Sequence, residues 1–248
     1  MDEEGEIIRG VRGRRGLFGR WVEMKYLIFD AGPIISLTLN GMLPVIEKLK
    51  SVFDGEFILT PTVKREVVDR PMKIKKFKLE ALQVQDLIAR GVFKMSGDVL
   101  SNQKLDKEMK KILKAANGVL RTTERKEKIS IIHDGEAECL AFANICGCEN
   151  AIVIDERTTR MLTEAPQNLE SMMEGKLHMP LDATLSLLDG LKKFRFIRSA
   201  ELLYVAWKKD LIGVKKDKEL LDALLYGVKF KGCAISSVEI EEMKRLAS

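Results

Sequence analysis

From residue 25 onward the chain alternates short, continuous apolar runs with longer stretches in which apolar residues recur every three or four positions. A compact apolar run suits a strand buried on both faces, whereas recurrence at three and four suits one face of a helix. The predicted strands are KYLIF (25–29), EFILT (56–60), VFKMS (92–96) and AIVI (151–154), with FRFI (194–197) as a candidate fifth. Between them lie helical patterns such as Ile34-Ile35-Leu37-Leu39 and Leu79-Leu82-Leu87-Ile88. Strands alternating with helices predict an α/β fold built on an open, doubly wound parallel sheet.

Three regions depart from this alternation. Residues 1–23 carry no periodic apolar pattern and are dominated by Gly and Arg (RGVRGRRGLFGR), so they are expected to be a disordered leader. Met24 stands directly before the first strand and is a candidate start; an RNA-contacting arginine arm is the functional alternative for the leader. Residues 24–164 form the expected main domain, with a basic helical insertion at about 100–128. Residues 165–248 add a strand and helices that pack on the sheet or form a small cap. SAELLYVAWKKDLI and DKELLDALLYGVKF are helical by periodicity and are separated by Gly213-Val214-Lys215.

Composition narrows the class. A chain of 248 residues, 46% hydrophobic and 32% charged, is long enough to bury a sizeable core. No apolar run approaches the roughly 20 residues a membrane-spanning helix requires, and the acidic start Met-Asp-Glu-Glu is unlike a signal peptide, so a cytoplasmic protein with no membrane partner is expected. Cys139, Cys146, Cys148 and Cys233 lack the paired spacing of a zinc site and are expected to be buried thiols. The net charge of +5 is unevenly spread: Lys64 to Lys128 holds 18 Lys and Arg against nine Asp and Glu. Such a segment suits a polyanionic partner, although a solvated helical face explains the same charge.

The candidate chemistry is acidic. In open parallel sheets ligands bind beyond the carboxyl ends of the strands. Asp30 directly follows YLIF, and Asp155 directly follows AIVI. Each also precedes a helix start, where a carboxylate serves as a plain N-cap. Glu66 falls in the first turns of the helix that begins at Pro61, and Glu136 opens the helix GEAECLAFANICG, flanked by Asp134 and Glu138. Four carboxylates drawn together repel one another unless a cation sits among them. Mg²⁺ or Mn²⁺ suits such oxygen donors, and the chemistry these ions support is phosphodiester hydrolysis.

The ordered set FDAGPIISL, TPTVKREV, DGEAECLAFA and IVIDERTTR resembles the motif series of the PIN-domain ribonuclease family, including its VapC-toxin-like members, over residues 25 to about 164. FRFIRSAELLYVAWKKDLI is similar to the segment that closes some archaeal and bacterial members. The resemblance implies a Rossmann-like sheet sandwiched by helices and metal-dependent endonucleolytic cleavage of single-stranded RNA. It implies Asp30, Glu66, Glu136 and Asp155 as catalytic metal ligands, with Glu138 the substitute for Glu136 and Asp134 an N-cap. A toxin paired with an antitoxin, or an RNA-processing enzyme with its own partner, fits equally, as does a homodimer. A non-catalytic PIN-like RNA-binding or assembly module is the alternative. A phosphatase using Asp30 as nucleophile is disfavoured, because Gly32 stands where one large class carries a second aspartate.

Secondary candidates accompany these. Arg157 and Arg160 follow Asp155 and offer guanidinium groups to substrate phosphate, or pair with neighbouring acids. Glu156 is expected to point away from the site. Ser36 or Thr38 orients a metal-bound water or bonds back to its own helix. His133 and His178 are expected to be loop residues, Cys146-Gly-Cys148 a helix end, and Tyr204 with Trp207 core packing rather than a base-stacking platform.

Overall fold

The computed structural model describes residues 26–147, 150–191 and 194–247. The arginine-rich leader, Met24 and Cys148 lie outside the described residues.

The first apolar run forms β1 (Tyr26–Phe29), which sits at the centre of a parallel sheet between β2 (Glu56–Leu59) and β5 (Asn150–Val153). Tyr26 stands opposite both Glu56 and Asn150, and Phe29 opposite both Leu59 and Val153, so the three strands are in step. β3 (Phe93–Met95) extends the sheet beyond β2, and β7 (Phe196–Ile197) extends it beyond β5. The spatial order is β3-β2-β1-β5-β7. The candidate fifth strand is therefore part of the main sheet, and the C-terminal region is built into the fold. Helices flank the five parallel strands, a pattern compatible with a Rossmann-like fold.

Continuous apolar runs are explained by burial: Ile28, Phe29, Ile58, Leu59, Ile152 and Val153 are all fully enclosed. Each such side chain contributes about 1.5–3 kcal/mol relative to an exposed one. Phe29 meets Phe57 and Phe93 at centroid distances of 5.0 and 5.2 Å, tying β1, β2 and β3 together.

The helices are α1 (Ala31–Leu39), α2 (Leu43–Val52), α3 (Pro61–Lys64), α4 (Lys78–Ala89), α5 (Asn102–Ala116) and α6 (Asp134–Cys146). They are followed by α7 (Arg157–Glu164), α8 (Leu169–Leu177), α9 (Ser199–Lys208), α10 (Lys218–Lys229) and α11 (Ser237–Leu246). The periodicity overstates two faces. Ile34 and Leu37 are buried, but Ile35 and Leu39 are 42% and 43% exposed, and Leu79 and Leu82 are also open to solvent. Tyr204 and Trp207 lie in the core, as expected.

The basic insertion is helical only in its first part. After α5, residues Leu120–Thr122 form β4, which pairs antiparallel with β6 (Leu181–Ala183) in a separate two-stranded sheet. Among the described residues, no helix is long and apolar enough to cross a membrane.

Candidate active site

The chain runs β1 to β2 to β3 in one direction, then crosses back to place β5 on the other side of β1. This reversal lies between β1 and β5, where the loops leaving the two strands diverge and open a crevice. Asp30 leaves β1 there and Asp155 leaves the end of β5. The cleft at this edge has a volume of about 780 Å³. It is lined by Asp30, Glu66, Glu136 and Asp155, all four acids that the sequence singles out.

Asp30 is the N-cap of α1, and its Oδ2 accepts the Gly32 amide at 3.2 Å. Capping engages one oxygen and leaves the other facing α6. A Cβ placed on Gly135, in the first turn of α6, would stand 3.7 Å from Asp30 Oδ1 and 3.5 Å from Glu66 Oε2. Two carboxylates from different elements thus border the same small space, which glycine keeps open. Burial, together with the charges of Glu136 and Glu66, pushes the Asp30 carboxyl up to about 7, against the opposing pull of the Gly32 and Ala31 amides.

Glu66 reaches the cleft from an unusual backbone. The helix that starts at Thr60-Pro61 widens after Lys64 into a π-turn, Arg65–Asp69. Such turns carry one extra residue and re-aim side chains, often at functional sites. Arg65 and Arg70, which begin and follow this turn, also line the cleft. Arg65 Nη2 donates to Thr62 Oγ1 at 3.2 Å. Thr62 in turn donates both its amide and its hydroxyl to Glu138, at 2.8 Å each. Glu138, the substitute considered for Glu136, is therefore buried against α3 and anchors the Arg65 support.

Glu136 stands in the cleft, held from two sides. Its carboxylate accepts the His133 amide at 2.7 Å and the Thr159 hydroxyl at 2.8 Å. Burial raises its pKa, and the His133 and Thr159 hydrogen bonds oppose that rise. His133 is the N-cap of α6 and Asp134 is the first helical residue, so the N-cap role expected of Asp134 belongs to His133. Both line the cleft. The segment leading to them is clamped by Asn117, whose Oδ1 accepts the Ile131 and Ile132 amides at 2.7 and 3.0 Å.

Asp155 borders the cleft but is committed elsewhere. Its oxygens accept the Ser199 amide at 2.7 Å and the Ser199 hydroxyl at 2.8 Å, joining the end of β5 to the start of α9. Its main-chain carbonyl also accepts the Ala234 amide at 3.0 Å. Burial raises its pKa, opposed by the hydrogen bonds from Ser199 and Cys233.

Geometry corrects one expectation, at Glu156, and chooses among the alternatives left open for the secondary candidates. Glu156, expected to point away, lines the cleft and caps α7 by accepting the Thr159 amide at 2.9 Å. Arg160 is turned from the cleft to Glu164, at 3.5 Å, and to the Ala234 carbonyl. Arg157 is exposed and outside the lining, so the cleft arginines are Arg65 and Arg70. Thr38 bonds back to the Ile34 carbonyl at 2.6 Å, and Ser36 is buried in α1, so neither reaches a water in the cleft. Arg65 and Arg70 had a sequence signal in the basic segment. Their direction depends on the π-turn, which no periodicity announces.

Among the described residues, no three His, Cys, Asp or Glu side chains stand close enough together to form a ready metal cage. The donor chemistry nevertheless fits a hard cation. The space between Asp30 and Glu66 is bordered by carboxylate oxygens, and Mg²⁺ commonly takes only one or two carboxylates, filling the rest of its shell with water and phosphate oxygens.

In comparisons with known proteins, no family model matches the chain, and neither a curated protein nor a solved structure matches it.

Proposed function

We propose that the chain is a metal-dependent endoribonuclease of the PIN-domain type, acting on single-stranded RNA. The observation that carries this reading is the shared border of Asp30 and Glu66 on the open space above Gly135, in a cleft whose other walls supply Glu136, Asp155 and two arginines. Acidic groups that repel one another weaken the apo fold, and a divalent ion bound among them offsets that repulsion.

In this reading Asp30 and Glu66 are the residues that would hold Mg²⁺ or Mn²⁺, which when bound would supply neutralising charge for a phosphate and acidity to a water. Arg65 and Arg70 hold the phosphodiester by charge-assisted hydrogen bonds, which fixes the phosphorus in front of the carboxylates. Glu136, oriented by His133 and Thr159, accepts hydrogen bonds from waters in the cleft and sets their direction. Asp155 is a positioning residue that fixes the β5 end of the cleft through Ser199.

The hydrogen bonds that occupy Glu136 and Asp155 also lend weight to the competing reading, an RNA-binding module without catalysis. Cleavage of end-labelled single-stranded RNA in Mn²⁺ or Mg²⁺ separates the two. Asp30→Asn and Glu66→Gln are expected to lower the cleavage rate at least 100-fold while RNA binding stays within a few-fold, effects of the size seen when charge-stabilising groups are removed. Binding by wild type with no cleavage in either metal points to the module, and equal cleavage by all three proteins points to a contaminating nuclease.

A further inference from the structure

A second cavity of about 310 Å³ adjoins the cleft, and Glu66 and Arg70 line both. Its walls come from α1 (Ile35, Leu39), from Ile74 and Phe77, and from Val84 of α4. The exposed wall is almost wholly apolar, and it gathers large apolar side chains that the core leaves open: Ile35 and Leu39 at 42% and 43% exposed and Ile74 at 48%. Glu80 lines the same cavity, and its Oε2 is buried with no hydrogen-bond partner among the described residues. A buried acceptor without a partner is one that a donor on a ligand would satisfy. Glu80 lies in the first turn of α4.

An apolar slot with one inward acceptor, opening onto a phosphate-binding cleft, has the shape and chemistry of a nucleobase site. Bases of single-stranded RNA are read when splayed out against apolar or aromatic side chains and hydrogen-bonded at their edges. Arg70 stands at the junction, so a strand whose phosphate meets Arg70 carries its neighbouring base to the mouth of the slot.

We propose that this cavity selects one base next to the cleaved bond, with Glu80 accepting a hydrogen bond from an exocyclic amino group. Cytosine, adenine and guanine carry that donor; uracil presents a carbonyl oxygen at the equivalent position of cytosine, which a carboxylate repels. The proposal rests on the single-stranded RNA reading of the adjoining cleft and adds a specificity to it.

The test uses the full chain and fluorescein-labelled hexaribonucleotides that differ at one base, in paired binding and cleavage assays. Wild type is expected to favour an amino-bearing base over uracil about tenfold at one position. Glu80→Gln, whose amide both donates and accepts, is expected to reduce that ratio to near one. Ile35→Trp, a surface substitution that fills the slot, is expected to erase the preference even if Glu80→Gln lowers stability. A preference that survives Ile35→Trp, as expected if the slot instead receives an apolar helix of a protein partner, overturns the proposal. So does binding or cleavage by wild type that ignores base identity, an outcome that leaves the nuclease reading intact. Failure to bind or cut any RNA removes both.

Discussion

Burial beside Glu136 and Glu66 keeps the Asp30 carboxyl protonated up to about pH 7, whereas the same group in an unfolded chain titrates near 3.8. A pKa raised by folding means that the unfolded chain gives up its proton first. The contribution to stability is therefore complete below about pH 4 and is lost as pH rises through 7, a penalty of up to about 4 kcal/mol. Asp30→Asn removes the charge and keeps an oxygen to accept the Gly32 amide. In metal-free buffer at pH 8 the variant is expected to melt several degrees above wild type, with the gap closing toward pH 4. Added Mn²⁺ is expected to narrow the pH 8 gap by stabilising wild type alone. A thermal shift series over pH checks this, and a variant that melts below wild type at pH 8 refutes the account of Asp30 as a carboxyl raised by burial beside Glu136 and Glu66. The sequence made this residue visible because a single aspartate ends a wholly apolar strand. It did not distinguish Asp30 from Asp155, which has the same local pattern. The difference is a long-range one: Ser199, 44 positions away, occupies both Asp155 oxygens.

At the level of elements, the start of α6 decides the geometry of the cleft. Gly135 has helical backbone and its missing side chain leaves room between Asp30 and Glu66. Gly135→Ala places a methyl group there in ordinary van der Waals contact, and alanine is the better helix former. Stability in metal-free buffer is expected to stay level or rise slightly, while Mn²⁺ affinity falls tenfold or more. Denaturant melts and calorimetric metal titration measure the two separately, and an unchanged affinity places the ion elsewhere. The main strands were legible as elements because burial on both faces demands continuous apolar residues. β4 and β6 were not. Each has three residues, Leu-Arg-Thr and Leu-Asp-Ala, partly polar, and their pairing joins segments about 60 positions apart through a contact that leaves no periodic trace.

The molecule as a whole carries its excess positive charge between Lys64 and Lys128, but charge there is not equivalent in space. Lys110 and Lys111 pair with Asp106 and Glu108 of their own helix, α5, whereas Arg65 and Arg70 line the cleft. On the proposed single-stranded RNA reading, each phosphate neutralised by the protein releases counterions, so the dependence of affinity on salt counts the contacts, at a slope of about 0.7 per phosphate for single strands. Arg65→Ala and Arg70→Ala are each expected to flatten the plot of log affinity against log salt by about that amount. Arg157→Ala, exposed and away from the cleft, is expected to leave it unchanged. Anisotropy titrations from low to moderate salt supply the slopes, and a slope that responds to Arg157 instead overturns the assignment of phosphate contacts to Arg65 and Arg70.

The π-turn at Arg65–Asp69 has a consequence for how this surface can change. Excising a single residue there would let the backbone revert to ordinary α-helical winding: residues beyond the turn would keep their register, while those inside it, Glu66 among them, would be re-aimed. Glu66 and Arg70 would then no longer share one rim, and both cavities would lose a wall together. The hydrophobic interior carried by Val63, ahead of the turn, and by the sheet would keep its place. A one-codon deletion is thus a short evolutionary step from a cleft with Glu66 and Arg70 on its rim to a scaffold of nearly the same shape without the two together.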